Sequence, residues 1–309
     1  MQIAIPAMIN ADGLLPFLAV LDKPLSPEEE VVLDFSGLRR VTPAGLVGLV
    51  ATVLRWRREN HPVAFRGLQT CPITGYLQRM DEFTNCKVEL PENFRRHDAK
   101  GRFVPVQAID HRVDEMGHAL SKCLAPGGED YGHAMANLYD LAWYVFTETA
   151  NNVRQHSRES GWVSAQVNSD EGLVRLALAD NGCGILKSFE GIAWSVGMSD
   201  AEAIQEALKP RVSSKGTPTN EGVGLTLVSG LVRRIKGWLL IVSGTGVLKI
   251  RAGEVAKTEV LPEAAHYQGT LVGLMFRQRD VVDYASLLEN AKIDAGLLQR
   301  ANNVIRFRL

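Results

Sequence analysis

Cysteine is scarce in this sequence: Cys71, Cys86, Cys123 and Cys183 are the only four, none in a CxxC pair and none with histidines at metal-site intervals. That spacing predicts isolated thiols in a reducing compartment, with neither a disulfide framework nor a zinc site. Long apolar runs are also missing. The longest, Ala44 to Leu54, is too short to cross a bilayer and ends in Arg55, and the start Met1-Gln2-Ile3-Ala4-Ile5-Pro6 has no basic leader segment. A cytoplasmic protein without membrane attachment is therefore expected. Net charge is nearly absent: 34 basic and 35 acidic side chains give a formal −1, so no global field draws the chain toward nucleic acid or anionic lipid. Internal repeats and low-complexity bias are lacking too.

What the chain does have is apolar content: 309 residues at 46% hydrophobic and 22% charged suffice for two ordinary cores. Val31-Val32-Leu33-Asp34-Phe35 reads as a buried strand. Leu46, Leu49, Val50, Val53 and Leu54 then recur at helical spacing, closed by Arg55, Arg57 and Arg58, and Val63-Ala64-Phe65 forms the next strand. This is a small α/β unit over 1–90. The polar, basic stretch from Pro91 to Val106, with Gly101 and Pro105 as breakers, marks a boundary, so 91–130 is expected to be a linker and helical connector. From 131 to 280 a long helix starting near Tyr131 precedes two alternating strands, with Val163, Ala165 and Val167 on one face of the first and Val174, Leu176 and Leu178 on one face of the second. Strands at 238–242, 247–251 and 269–276 and a helix carrying Leu227, Val228, Leu231, Val232 and Ile235 complete an expected α+β sandwich, a mixed sheet with helices on one face. A helical tail over 281–309 closes the chain.

Three local patterns carry chemistry. On the long helix, Leu138, Leu141, Val145, Glu148, Asn152 and His156 share one stripe that turns from apolar to polar. Either that stripe emerges into solvent, or Glu148 and Asn152 meet a ligand that satisfies them. After the second alternating strand comes Asp180-Asn181-Gly182-Cys183-Gly184, either a plain turn or a loop passing close to a ligand, with Asp180 placed to accept from an amine. Asn220-Glu221-Gly222-Val223-Gly224 precedes a helix, either as a simple helix-start loop or as free N–H groups suited to phosphate.

In this order and spacing the three patterns resemble the N, G1 and G2 boxes of the GHKL superfamily, the Bergerat-fold ATPases and histidine-kinase-like proteins, over roughly residues 130–280. Glu148, Asn152 and His156 resemble the E-x-x-x-N-x-x-x-H run, Pro210 to Lys215 is similar to the lid element of sensor kinases, and Gly269-Thr270 matches the Gly-Thr of the adenine site. The resemblance implies two cofactors, ATP and Mg²⁺. Asn152 would hold the magnesium, Asp180 the adenine amine with Thr270 in support, Gly182 and Gly184 the close approach to the base, and Gly222 and Gly224 the phosphates. Lys215 would meet the γ-phosphate, or remain a solvated loop lysine. Glu148 would orient or deprotonate the nucleophile.

Residues 1–90 more weakly resemble a STAS domain. The family's phosphorylatable serine would fall on Pro43, followed by Ala44, and neither accepts phosphate; Thr42 is read as a helix N-cap. This unit is expected to dock on or regulate the lid over 187–221. The function expected is a slow ATPase acting as a nucleotide-controlled switch, with a protein partner or a homodimer and no nucleic acid or membrane. Alternatives are a protein kinase of anti-sigma Ser/Thr or sensor-histidine type, the latter with His111 as acceptor, and a non-catalytic ATP-binding scaffold. The chain after Thr270 is too short for the transducer domain of gyrase-like or MutL-like enzymes.

Overall fold

Apolar residues in the later strands run through both phases of the pleat, as in a sheet buried on both faces. Leu239-Leu240-Ile241-Val242 and Leu176-Ala177-Leu178-Ala179 are the clearest such runs, and every one of these side chains is buried. The structure, a computed structural model, describes residues 1–157, 160–212 and 222–299.

The N-terminal unit contains β1 (Gln2–Ala4), β2 (Met8–Ile9), α1 (Leu14–Leu21), β3 (Val31–Asp34), β4 (Arg40–Val41), α2 (Pro43–Arg58), β5 (Val63–Arg66), α3 (Thr74–Arg79) and α4 (Glu82–Asn85). Strands β1, β3 and β5 form a parallel sheet in that order, and β2 pairs with β4. Helix α2 starts with proline at its first position, where the missing N–H costs no bond, and ends on Arg55, Arg57 and Arg58, which suit the negative end of its dipole. The Thr42 side chain makes no cap bond; its Oγ1 donates to Ile9 O at 3.1 Å, tying the start of α2 to β2.

A seven-stranded sheet follows: β6 (Phe103–Ala108), β7 (Gly161–Asn168), β8 (Leu173–Asp180), β9 (Trp238–Gly244), β10 (Gly246–Arg251), β11 (Lys257–Val260) and β12 (Tyr267–Arg277), in the order β11-β10-β9-β12-β8-β7-β6. Two expectations are corrected here. All pairs of this sheet among the described residues are antiparallel, not mixed, because neighbours such as β7–β8 and β9–β10 are joined by short reversals; parallel pairing is confined to the N-terminal unit. The stretch 91–130 is more than linker and helix, since β6 adds to the sheet edge. Pro105 lies where the β6–β7 register shifts, an edge position that tolerates its missing donor.

Helices α5 (Val113–Leu124), α6 (Ala136–Asn152), α7 (Ile185–Ser188), α8 (Asp200–Ala207), α9 (Gly224–Arg234) and α10 (Tyr284–Asp294) complete the chain. The long helix begins at Ala136, beyond the expected start at Tyr131, which is fully exposed in the preceding turn. The α6 and α9 layer covers one face of the sheet, burying Val163, Val174, Leu176, Leu178, Leu239, Ile241, Val272 and Leu274. Helix α10 caps this layer: Asn137 Oδ1 accepts from Tyr284 N at 3.0 Å, and Ala291 packs on Gly230 of α9.

The opposite face is not open, and this corrects the expectation of helices on one face only. Ala177, Ala179, Leu240, Val242 and Leu271 join the core of the N-terminal unit, and α2 lies on β7, β8 and β12. The unit is thus seated on the back of the sheet. Small residues allow the approach: a Cβ on Gly48 would come within 3.1 Å of Leu271 Cδ1 and 3.3 Å of Leu18 Cδ2. Gly48→Val is expected to lower unfolding stability by about 1–3 kcal/mol, as over-packing does, read as a reduced denaturant midpoint. Among the described residues no helix is long and apolar enough to cross a membrane.

Candidate functional site

The polar end of α6 continues into a π turn, Val153–Ser157, of the kind that re-aims side chains within helices. Its consequence is local. Ser157 swings onto Asp180 at the end of β8, and the Ser157 side chain hydrogen-bonds the carboxylate. His156 was expected to extend the stripe; its side chain lies outside the described residues.

Asp180 is 3% exposed and sits at the floor of a cleft. Its Oδ1 accepts from Gly182 N at 2.7 Å, and the backbone N–H of Thr270 bonds it as well. Burial outweighs these donors and pushes its carboxyl up to about 7. Beside it β12 shifts register between Tyr267 and Thr270, and Gly269 adopts φ +95 there; a Cβ at Gly269 would collide with the Asp180 carbonyl oxygen. Glycine is the residue that lets Thr270 reach Asp180.

Ser243 has a part that the sequence reading missed. It ends the apolar run of β9, is 1% exposed, and accepts from Ile185 N at 2.8 Å while donating to Gly269 O at 3.0 Å. Its Oγ is also 3.4 Å from Thr270 Oγ1. One hydroxyl therefore ties the loop after Asp180 to the bulge of β12. A serine closing a strand of aliphatics, just before Gly244, was the available signal.

Gly224 starts α9 directly against the catalytic candidate: a Cβ there would collide with Glu148 Oε2. Glu148 is half-buried, hydrogen-bonds Tyr144 one helical turn earlier, and is held above the usual carboxylate range by burial, which the Tyr144 bond only partly offsets. It stands behind Gly224 and does not line the cleft itself.

The cleft encloses about 890 Å³ with its open mouth included. Asn152, Asp180, Gly184, Gly222, Gly224 and Thr270 all line it, with Leu178, Ile185, Ile241 and Val272 as apolar walls. Gly182 lies just outside, packed on Ser157 and accepting from Gln268 Nε2 at 2.6 Å. Phe189 closes one side and packs on Trp194, ring centroids 4.9 Å apart. Lys215, together with Asn220 and Glu221, lies outside the described residues. His111 is exposed on the turn before α5.

Among the described residues no three His, Cys, Asp or Glu side chains are grouped to hold a metal. Among the side chains lining the cleft, the Asn152 amide fits an ion whose remaining ligands are phosphate oxygens and water. Apolar walls around a buried acceptor suit a base bearing an amine, and backbone N–H groups at the start of α9 suit its phosphates. Compared with known proteins, the chain matches no family model and no curated protein.

Proposed function

We propose that the chain is a Mg-ATP-binding protein of GHKL type that hydrolyses ATP slowly and uses the nucleotide state to control association with a protein partner or a second copy. The observation that carries this reading is Asp180: a carboxylate almost wholly removed from water at the floor of an otherwise apolar cleft, backed by Thr270 and facing no cation among the described residues. Its three donors offset only part of the cost of burying its charge, and a further donor from a ligand would offset more. An adenine amine donating to Asp180, with the base between Leu178, Ile185, Ile241 and Val272, would be that donor.

The base then directs the phosphates toward Asn152 and the start of α9. Asn152 would hold a magnesium ion there, which would supply charge neutralisation. Glu148, packed under Gly224, orients the attacking water and takes its proton. In the STAS-like unit, Pro43 and Ala44 are buried against the sheet, which favours nucleotide-controlled association over phosphorylation of the chain's own N-terminal half.

Incubation with ATP labelled at the γ-phosphate tests the reading. Free phosphate is expected to accumulate and the protein is expected to remain unlabelled. Stable label on the protein or an added partner would support the kinase alternative, bound but unconverted ATP the scaffold, and failure to bind ATP at all would sink the GHKL reading.

A further inference from the structure

At the sheet end remote from Asp180, cross-strand register puts four side chains in one row on the face that carries the N-terminal unit. Arg251 of β10 lies opposite Trp238 of β9, Trp238 opposite Met275 of β12, and Met275 opposite Arg175 of β8. Directly opposed residues of neighbouring antiparallel strands point to the same side. Two arginines thus flank a tryptophan and a methionine, with three strand spacings of about 4.8 Å between them. Lys236, in the turn before β9, and Arg277, at the end of β12, add two more cations at the same end.

The start of α2, at Pro43 and Ala44, borders this row, and two adjoining cavities lie along it. The larger, about 980 Å³ with its mouth, is lined by Lys236, Trp238, Arg251, Met275 and Arg277; the smaller by Thr42, Pro43, Arg175, Trp238 and Met275. Trp238 and Met275 line both. Among the described residues none of the four cations forms an ion pair. The one acid lining the larger cavity, Glu254, is engaged by Lys257 at 3.3 Å. Arg175 is half-buried, and burial and the like-charged Arg40 both work against its charge, offset in part by Glu171 and Tyr76 nearby. The Trp238 indole N–H is buried without an acceptor.

The four cations and the Trp238 indole donate and cannot accept, and Glu254 is the one acid lining either cavity. A site with surplus donors and cations calls for a ligand made of acceptors and negative charge. The geometry points to a second ligand site, independent of the nucleotide cleft, that takes a small, multiply charged phosphate compound. A single phosphate cannot reach cations spread over about 14 Å of sheet, whereas a chain of phosphates can. Trp238 offers its indole as a wall and as a donor.

Titration with sodium tripolyphosphate in EDTA, followed by calorimetry and tryptophan emission, tests the site. Saturable one-to-one binding is expected, weakened at least tenfold by Arg251→Ala/Arg277→Ala and by Arg175→Ala, and unchanged by Asp180→Asn. Trp238→Phe is expected to keep binding by calorimetry and to lose most of the emission change. The arginine variants should bind a fluorescent ATP analogue as the parent does, which shows that they remain folded. The proposal is overturned by absence of saturable binding, by equal affinity in the arginine variants, or by loss of binding in Asp180→Asn. Tighter capture of a phosphoserine peptide, polyglutamate or a single-stranded oligonucleotide at the same residues would also overturn it, since the ligand would then be a macromolecule.

Discussion

Glu148→Ala is expected to lower the steady-state rate of ATP hydrolysis by about 10²- to 10⁴-fold, the usual worth of a general base, while ATP affinity stays within a few-fold of the parent. Two placements lead to this split. The Glu148 carboxylate touches the first residue of α9 and so stands where the terminal phosphate would arrive, yet it does not line the cleft that would hold the base. Glu148→Gln sharpens the test. Glutamine keeps the volume under Gly224 and a partner for Tyr144 but cannot take a proton, so an equally deep loss assigns the effect to proton transfer and a mild one to packing. The pH profile has a defined sign. Because burial raises the Glu148 carboxyl, its ionised form is complete only at higher pH than for an exposed glutamate, so the acid limb of the rate profile should lie above the ordinary carboxylate range. Tyr144→Phe removes the one bond favouring ionisation and should move that limb further up. A hydrolysis rate unaffected by Glu148→Ala would remove this residue from the chemistry.

Much of this arrangement was legible in the sequence because the site is written in local patterns. Alternation placed Val163 to Val167 and Val174 to Leu178 on strands, and helical spacing placed Glu148 and Asn152 one turn apart; both are local properties that tertiary context did not alter. Less legible was everything that depends on which surfaces meet. Trp162, Ala177, Ala179 and Leu240 fill the second phase of the pleat, and their burial follows from α2 settling on the sheet, a contact between segments far apart in the chain. Pro105 and the basic residues around it suggested a break, and at a sheet edge the same proline is tolerated within β6. Ser243 escaped because its two bonds reach residues 58 and 26 positions away. The π turn at Val153–Ser157 is likewise invisible to a 3.6-residue period, though it brings Ser157 to Asp180.

The shared core has a mechanical consequence. Strands β8 and β12 deliver Asp180 and Thr270 at one end, and α2 packs on the backs of the same strands. Leu271, beside Thr270, is fully buried in that interface, and Gly48 of α2 faces it. A change in the N-terminal unit is therefore expected to reach the cleft through these packed strands.

Nucleotide affinity should rise with pH through neutrality, and Asp180 should be the cause. With its carboxyl pushed up to about 7, Asp180 is half protonated at that pH in the free protein. Only the ionised carboxylate offers both oxygens as acceptors, so a ligand amine favours the form that dominates above 7. If binding requires that form, affinity should gain about tenfold between one unit below and one unit above its pKa, and binding near neutrality should release close to half a proton. Calorimetry in buffers of different ionisation enthalpy measures that proton directly. Phosphate ionisation of the nucleotide contributes its own slope, which Asp180→Asn leaves in place while removing the protein's share. The same substitution exchanges a charged acceptor for a neutral amide and should weaken binding about 10- to 100-fold at pH 8, the loss expected for a buried charge-assisted bond. Asp180→Ala should weaken it at least as much and also leave the Gly182 N–H and the Ser157 hydroxyl without their acceptor. If Asp180→Asn retained both the parent affinity and the parent pH slope, the amine-accepting role of Asp180 would be excluded, and with it the observation on which the nucleotide reading rests.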